Sequence, residues 1–565
     1  MADSNNPLIV QSDQTLFLEV HHPNYPQIRD KLSLFAELIK SPEHIHSYKI
    51  SPISLWNAAS AGLSKDEIFD FLNESAKYEI PQNVYSNIEN IIGKFGKVQL
   101  LKHEDAELLI LTTENDLISA ELDNNKDIKK ILQEKTSETS YVIHLLNRGL
   151  IKQKLIEIGY PVEDQVGFSK GEPYSFDVLD KTKTGEDFAF RAYQREASEI
   201  FYQNGHERGG HGVVVLPCGS GKTMVGMAVM DKLQCSTLIL TTNIAACHQW
   251  IRELGDKTTI NPADIGEFTG ERKVIKPTTV ATYQIIIQRE KQNGKFPYFS
   301  LFRERNWGLI IYDEVHLLPA PVFRITADIQ SKRRLGLTAT LIREDGKEKD
   351  VFSLIGPKRY DVPWKELEKK GFIAEAVCHE IRVSMKRDDR LKYVTSKNRE
   401  KFRLASSNEE KMRVTEELLL RHEDDQVLVI GQYLNQLEMI AGRFGYPIIT
   451  GRISNKEREK LYESFRKGDI KVLIVSKVAN FAIDLPDASV AIQVSGTYGS
   501  RQEEAQRLGR ILRPKEKMSY FYSIVTGDSC EEEFSHKRQL FLTEQGYKYL
   551  IEDWTAQLNE SVKQV

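Results

Sequence analysis

No stretch of the sequence approaches the run of roughly 18 apolar residues that a membrane-spanning helix needs. Cysteine is scarce and scattered. Cys218, Cys235, Cys247, Cys378 and Cys530 form no CxxC pair, so neither a disulfide framework nor a zinc site is supported. The opening MADSNNPLIV lacks the basic and long apolar regions of a secretory signal. Internal repeats and low-complexity tracts are missing too. These absences predict a cytosolic protein, or a nuclear one if the source is a eukaryote.

What is present is length and an ordinary composition. The 565 residues correspond to roughly four domains at the usual size. A hydrophobic share of 40% and a charged share of 28% argue against wholesale disorder. The net charge of -4 is unevenly spread. Residues 1–145 hold 13 Lys and Arg against 22 Asp and Glu, a net of -9, which leaves +5 for the remainder. An acidic head on a mildly basic body suits a body that handles phosphates, although acidic surface also simply keeps domains soluble.

In the head, LFLEV (16–20) alternates as a short strand, and IRDKLSLFAELIK (28–40) has apolar residues at helical spacing. LSKDEIFDFLNESA (63–76) predicts a second helix with Ser64 as N-cap. VQLLK and LLILTT (98–113) predict a two-stranded ribbon, an order that resembles a winged helix. Residues 146–185 read as a small second module with turn-like stretches. From about 186, short β-branched runs alternate with helical segments: GVVVL, TLILTT, TTVAT, LIIY and RLGLTAT. That alternation predicts a parallel sheet with crossover helices. It lapses across 357–425 and resumes with QVLVIGQ, KVLIVS and VAIQVS. Two α/β units in tandem are therefore expected.

Chemistry enters where GVVVL runs into PCGSGKT (217–223) and a helical stretch. Gly219 and Gly221 let backbone N–H groups approach phosphate oxygens, Lys222 reaches the β- and γ-phosphates, and the Thr223 hydroxyl ligates Mg²⁺. The first glycine of the usual pattern is replaced by Leu216. LIIY then ends in Asp313-Glu314-Val315-His316. A DE pair alone is usually a solvated turn. At the end of an apolar strand, Asp313 can hold Mg²⁺ and Glu314 can polarise the attacking water. In QRLGRILR (506–513), Arg510 and Arg513 lie on one face of a helical turn, so both can meet one anionic target. Alone they would pass as surface charge, but beside a phosphate cradle they read as arginine fingers. Together the three elements predict a nucleoside triphosphatase whose nucleotide binds between two α/β units.

RAYQ (191–194), PCGSGKT, DEVH, Thr338-Ala339-Thr340 and QRLGRILR resemble, in order, the motifs of superfamily 2 helicases. TATLIREDGKEKD, LIGPKRYDVPWKELEKKGFIAEAVC and the tail after FYSIVTGD resemble the XPB/Rad25 branch over nearly the whole chain. The resemblance implies that Gln194 reads adenine, and that Pro217, Cys218, Gly219, Ser220, Gly221, Lys222 and Thr223 cradle ATP. Asp313 and Thr223 would hold Mg²⁺, and Glu314 would serve hydrolysis. Gln506, Arg510 and Arg513, with Asp484 nearby, would complete the site. It further implies DNA-backbone contacts at Asn243, Gln249, Thr282 and Gln284, and coupling through Thr338 and Thr340. Arg343, Glu344 and Asp345 match a triplet used in opening duplex DNA, and 3′-to-5′ movement comes with the family. Ala482 stands where many helicases have glycine, and the head lacks the acidic insertion of eukaryotic members, which suggests a prokaryotic source.

The expected architecture is α/β, with two tandem RecA-like domains behind an α+β head. The domains are 1–145 (partner-binding, acidic, winged-helix-like), 146–185 (damage-recognition-like), 186–360 (ATP-binding), 361–405 (connecting, with a thumb-like segment) and 406–565. Residues 386–403 carry a local net charge of +5 with Tyr393 and Phe402 interleaved, which suits a base-stacking DNA surface or a solvated linker equally. The partners implied are DNA at a single-strand/duplex junction and a protein bound by the head, such as a repair nuclease. The expected function is an ATP-dependent DNA helicase of repair or transcription-linked opening. A duplex translocase that separates no strands is the alternative within the class, and a DNA-bound scaffold with a vestigial ATPase is the alternative outside it.

Overall fold

The structure is a computed structural model that describes residues 5–554 except 33, 41–43, 61, 106, 166–170, 206–209, 289–296, 303, 318–332, 340–350, 352–354, 357, 363, 477–487, 498–499 and 513–516. The chain divides into two compact units, residues 1–215 with 221–361, and residues 216–220 with 362–565.

The first unit begins with a four-stranded antiparallel sheet in the order Leu8–Val10, Thr15–Glu19, Ile45–Lys49, Glu37–Lys40. Helices Pro52–Ser60, Lys65–Ser75 and Gln82–Ile92 accompany it, and residues of all of them share one apolar core with the sheet. Ser64 caps the second helix, and Glu67 closes a capping box with it. The continuous helix expected over 28–40 does not form. Tyr25–Leu32 is helical, but Glu37–Lys40 pairs with Ile45–Lys49, and sheet pairing outweighs helical spacing.

The order of helices followed by a two-stranded ribbon is present, but the ribbon does not share the helices' core. The Val98–Lys102 and Leu108–Thr113 hairpin belongs to a separate five-stranded sheet with its own core. Its edge strand Val162–Asp164 runs parallel to Val98–Lys102, so the sheet crosses the boundary placed between residues 145 and 146. Residues 171–187 are pinned to the following α/β layer. Glu172 receives Arg305 Nη2 at 2.7 Å, and the Tyr174 N–H donates to the Gln234 carbonyl at 3.0 Å.

That layer is a seven-stranded sheet in the order Ile265–Phe268, Thr278–Thr282, Thr237–Thr241, Leu309–Asp313, Arg333–Thr338, His211–Val215, Lys358–Asp361. Every pairing in it is parallel. The central strands are apolar on both faces, as a sheet covered by helices on two sides requires.

The second unit holds another all-parallel seven-stranded sheet: Ile448–Ile449, Val472–Ser476, Val427–Gly431, Val490–Gln493, Ser519–Thr526, Ala376–Val383, Tyr549–Asp553. Two of these strands fall outside the expected repeat. Ala376–Val383 lies in the segment expected to connect, and Tyr549–Asp553 in the tail. AVCHEIRV reads as a charged linker, yet its Glu380 is buried, accepting from Ser535 Oγ at 2.9 Å and Gln539 Nε2 at 2.6 Å. Partnered charge inside the fold hid the strand. The base-stacking reading of 386–403 also fails for its aromatics. Phe402 is fully buried, and buried Tyr393 accepts the Cys530 N–H at 2.8 Å through its hydroxyl. No described helix is long and apolar enough to cross a membrane.

Candidate nucleotide site and its relatives

Register gathers the strand ends that lead into the site at one edge of the first unit's sheet. Val215 stands opposite Thr338, and Asp313 opposite Leu337, so the phosphate loop, the acidic pair and Thr338 leave one sheet at the same edge. Thr241 pairs with Thr282, which brings the starts of the Asn243 and Gln284 segments to that edge too. The carboxyl edge of a parallel sheet is where open α/β folds bind ligands.

The loop conforms to a phosphate cradle. Gly219 and Gly221 adopt φ of 77° and 79°, a left-handed conformation that a β-carbon disfavours. Gly221 is the N-cap of the helix Lys222–Leu233, so the loop runs into a helix N-terminus, the end that favours anions. Ser220 is buried, its hydroxyl donating to the Pro217 carbonyl at 2.6 Å, and Cys218 is half-buried. Gln194 packs behind the loop. A β-carbon on Gly221 would meet Gln194 Nε2 at 2.7 Å, and Gln194 Oε1 accepts the Arg191 N–H at 2.9 Å.

The acidic pair faces this loop. Lys222 Nζ lies 3.3 Å from Glu314 Oε1. Asp313 is held by two donors, Trp250 Nε1 to Oδ2 at 2.9 Å and the Glu314 N–H to Oδ1 at 3.0 Å. Burial lifts the Asp313 carboxyl to about 6, the negative Glu314 adds to the rise, and the Trp250 N–H and Lys222 oppose it. Glu314 has φ 49°, a left-handed backbone that costs a non-glycine residue about 1–3 kcal/mol. Strain of this kind is retained where it aims a side chain. His316 Nδ1 hydrogen-bonds Thr338 Oγ1 at 2.6 Å and stands 3.5 Å from Glu314 Oε2. A polar path therefore runs from Lys222 through Glu314 and His316 to Thr338.

Two residues of this site carry no motif signal in the sequence. Trp250 orients Asp313 from the helix Ile244–Lys257, and the Tyr283 hydroxyl donates to the Asp313 carbonyl at 2.8 Å. Gly226, inside the phosphate-loop helix, was the available clue. A β-carbon there would lie 2.5 Å from Trp250 Cη2 and 3.4 Å from Ile311 Cδ1. Gly226→Ala should therefore cost about 1–3 kcal/mol by overpacking, although alanine is the better helix former. It should also displace the Trp250 donor and raise the Asp313 pKa, moving the acid limb of the pH–rate profile to higher pH. Urea melts and pH–rate profiles read the two effects.

Other expected residues sort unevenly. Asn243 caps the helix Ile244–Lys257, accepting the Ala246 N–H at 3.0 Å, so its side chain already has a local task. Thr282 is buried, Gln249 half-buried and Gln284 exposed. In the second unit Gln506 is buried on the helix Arg501–Gly509, and Arg510 caps that helix. Thr340, Arg343, Glu344, Asp345, Asp484 and Arg513 lie outside the described residues. The Thr223 hydroxyl and the Asp313 carboxylate are oxygen donors of the kind that Mg²⁺ prefers. A carboxyl lifted to about 6 by burial and a like charge is one that a cation would relieve.

A parallel sheet with a phosphate loop and an acidic pair at its carboxyl edge, followed by a second such sheet, defines a P-loop nucleoside triphosphatase of the two-RecA-domain class. Comparison with known proteins narrows this. The family described as ERCC3/RAD25/XPB C-terminal helicase matches residues 367–564, a helicase conserved C-terminal domain matches 8–137, and the type III restriction enzyme res subunit matches 187–343. The DNA 3′-5′ helicase XPB of Mycobacterium tuberculosis is 49% identical over 97% of this chain and 98% of its own. The general transcription and DNA repair factor IIH helicase/translocase subunit XPB/SSL2 of Saccharomyces cerevisiae is 31% identical over 97% of this chain and 72% of its own. Among solved structures, the Pyrococcus furiosus Hef helicase domain covers 62% of this chain and 98% of its own at 15% identity, with a TM-score of 0.42. The chain belongs to the XPB/Rad25 family of DNA helicases, which are ATP-dependent enzymes.

Proposed function

We propose that the chain is a DNA helicase that moves 3′ to 5′ on ATP hydrolysis and opens DNA for repair or transcription. The observation that carries this reading is the Lys222–Glu314 approach of 3.3 Å at a sheet edge shared with Thr338, in a chain 49% identical to a DNA 3′-5′ helicase. Lys222 and the loop N–H groups bind the phosphates, and Gln194 supports the loop and reads adenine. Thr223 and Asp313 hold Mg²⁺, which when bound neutralises phosphate charge. Glu314 takes the proton of the attacking water, and Gln506, Arg510 and Arg513 stabilise the transferred phosphoryl group. Loss of the γ-phosphate changes what Glu314 faces, and His316 passes that change to Thr338. Gln249, Thr282 and Gln284 contact the DNA backbone, together with Asn243 through its helix terminus. The acidic head binds a protein partner.

Arg343, Glu344 and Asp345 are assigned to strand opening, because they follow Thr338-Ala339-Thr340 where the strand leaves the nucleotide edge. Replacing all three by alanine should keep most DNA-stimulated ATPase activity and remove most strand separation. Both activities are measured on one preparation. A proportional fall in the two would place the triplet in the ATP site or the fold, and no fall in either would make it a solvated turn.

A further inference from the structure

The helix Arg501–Gly509 carries Gln506 and ends at Arg510, yet at nine residues it is too short to hold its own orientation. It is gripped by a buried charge network, and all its residues from Glu504 to Gly509 are buried. Glu504, Arg507, Arg538 and Gln493 are each at most 1% exposed. Glu504 Oε2 accepts Gln493 Nε2 at 3.0 Å and lies 3.3 Å from Arg538 Nε. Arg538 Nη1 donates to the Thr497 carbonyl at 2.7 Å. Arg507 Nη1 donates to Gln493 Oε1 and lies 3.4 Å from the Ser495 carbonyl. Tyr549 adds its hydroxyl to Glu504 Oε1 at 3.4 Å, and Gln493 also reaches Ser523 Oγ at 3.1 Å.

Such a network is a poor way to gain stability. Desolvating charges costs several kcal/mol each, and packed apolar side chains often do as well or better. Its geometry suggests another use. At about 100° per residue, Arg507 sits roughly 300° round the helix from Glu504, so Gln506 at about 200° and Arg510 at about 240° lie on the Arg507 side of the anchored pair, Arg510 one turn beyond Arg507. Arg538 arrives from the helix Cys530–Glu544, remote in sequence, and ties the loop after strand Val490–Gln493 to Glu504. The fit leaves no slack at Gly496, where a β-carbon would lie 2.2 Å from Arg538 Cζ.

We infer that Arg538 and Glu504 are positioning residues for phosphoryl transfer: they fix the roll and height of the helix that presents Gln506 and Arg510. This rests on the reading of Arg510 as a transition-state arginine. Misplacing such a group by about 1 Å costs on the order of 100-fold in rate. It leaves ATP binding by the phosphate loop intact.

The test measures kcat and KM for ATP at saturating single-stranded DNA, with thermal melts, on full-length Arg538→Met, Arg538→Lys, Gly496→Ala and Arg510→Ala. Gly496→Ala removes no charge and acts by pushing the flexible end of Arg538 aside. The expected result is a fall in kcat of about 10–100-fold in Arg538→Met and Gly496→Ala. KM should stay within about threefold and the proteins should remain folded at the assay temperature. Arg538→Lys keeps the charge and one donor, so it should recover part of the loss. Parent-like kcat in Arg538→Met or Gly496→Ala, while Arg510→Ala is inactive, overturns the positioning role alone. So does unfolding of both, because the network would then be holding the domain rather than the helix. Full turnover in Arg510→Ala overturns the underlying reading of the site, and this inference with it.

Discussion

Glu314→Gln is expected to lower ATP turnover by about 10²–10⁴-fold while leaving nucleotide affinity nearly unchanged, the loss typical of removing a general base. The carboxylate stands 3.3 Å from Lys222 Nζ and 3.5 Å from His316 Nδ1, and its own backbone is held left-handed to keep it there. Glutamine keeps the shape but cannot take a proton from water. The proposed phosphate loop, with Gly219, Gly221 and Lys222, is untouched. Single-turnover hydrolysis and fluorescent-nucleotide titration on one preparation separate the two effects. Near-parent turnover would remove Glu314 from the chemistry, and lost affinity would make it part of the binding pocket.

Asp313→Asn should abolish hydrolysis too, and it should make the metal-free protein more stable at neutral pH. The folded-state pKa of Asp313 is raised from 3.8 to about 6, so the folded protein keeps a proton that the unfolded chain has released between those values. Stability therefore falls as pH rises through that window, and the full penalty persists above it. A rise of about 2 units is worth roughly 3 kcal/mol. Asparagine escapes the penalty and still accepts from Trp250 Nε1, but it loses the attraction of Lys222. A net gain of about 1–3 kcal/mol is expected at pH 7.5, shrinking by about half at pH 5. Urea melts in chelator at both pH values read it. A pH-independent difference, or a loss of stability at pH 7.5, would mean that Asp313 is ionised at little cost.

Burying a carboxylate at a strand end opposes folding, and buried charge also bears on what the sequence made legible. The central strands of both sheets were readable because GVVVL, TLILTT and VAIQVS are apolar on both faces, which only a doubly covered parallel strand needs. PCGSGKT and DEVH were readable because backbone geometry and strand-end placement restrict which residues can serve there. Ala376–Val383 was not, since buried Glu380 is satisfied by Ser535 and Gln539, and half-exposed Arg382 pairs with Glu532, partners more than a hundred positions away. Tyr393 and Phe402 misled for the converse reason: basic neighbours gave them the look of a nucleic-acid surface, yet packing took them inside. Trp250 and Tyr283 escaped notice because they hold Asp313 rather than touch substrate. The side-chain network behind Arg510 escaped for the same reason.

The central claim is that ATP hydrolysis at the Lys222–Glu314 edge drives directional opening of DNA. It is tested most directly by strand separation on duplexes carrying a 3′ tail or a 5′ tail, with ATP and with Lys222→Ala as control. ATP-dependent opening of the 3′-tailed duplex, weak opening of the 5′-tailed one and none by Lys222→Ala is the predicted result. DNA-stimulated hydrolysis with no strand separation on either substrate would contradict it and leave a duplex translocase in its place.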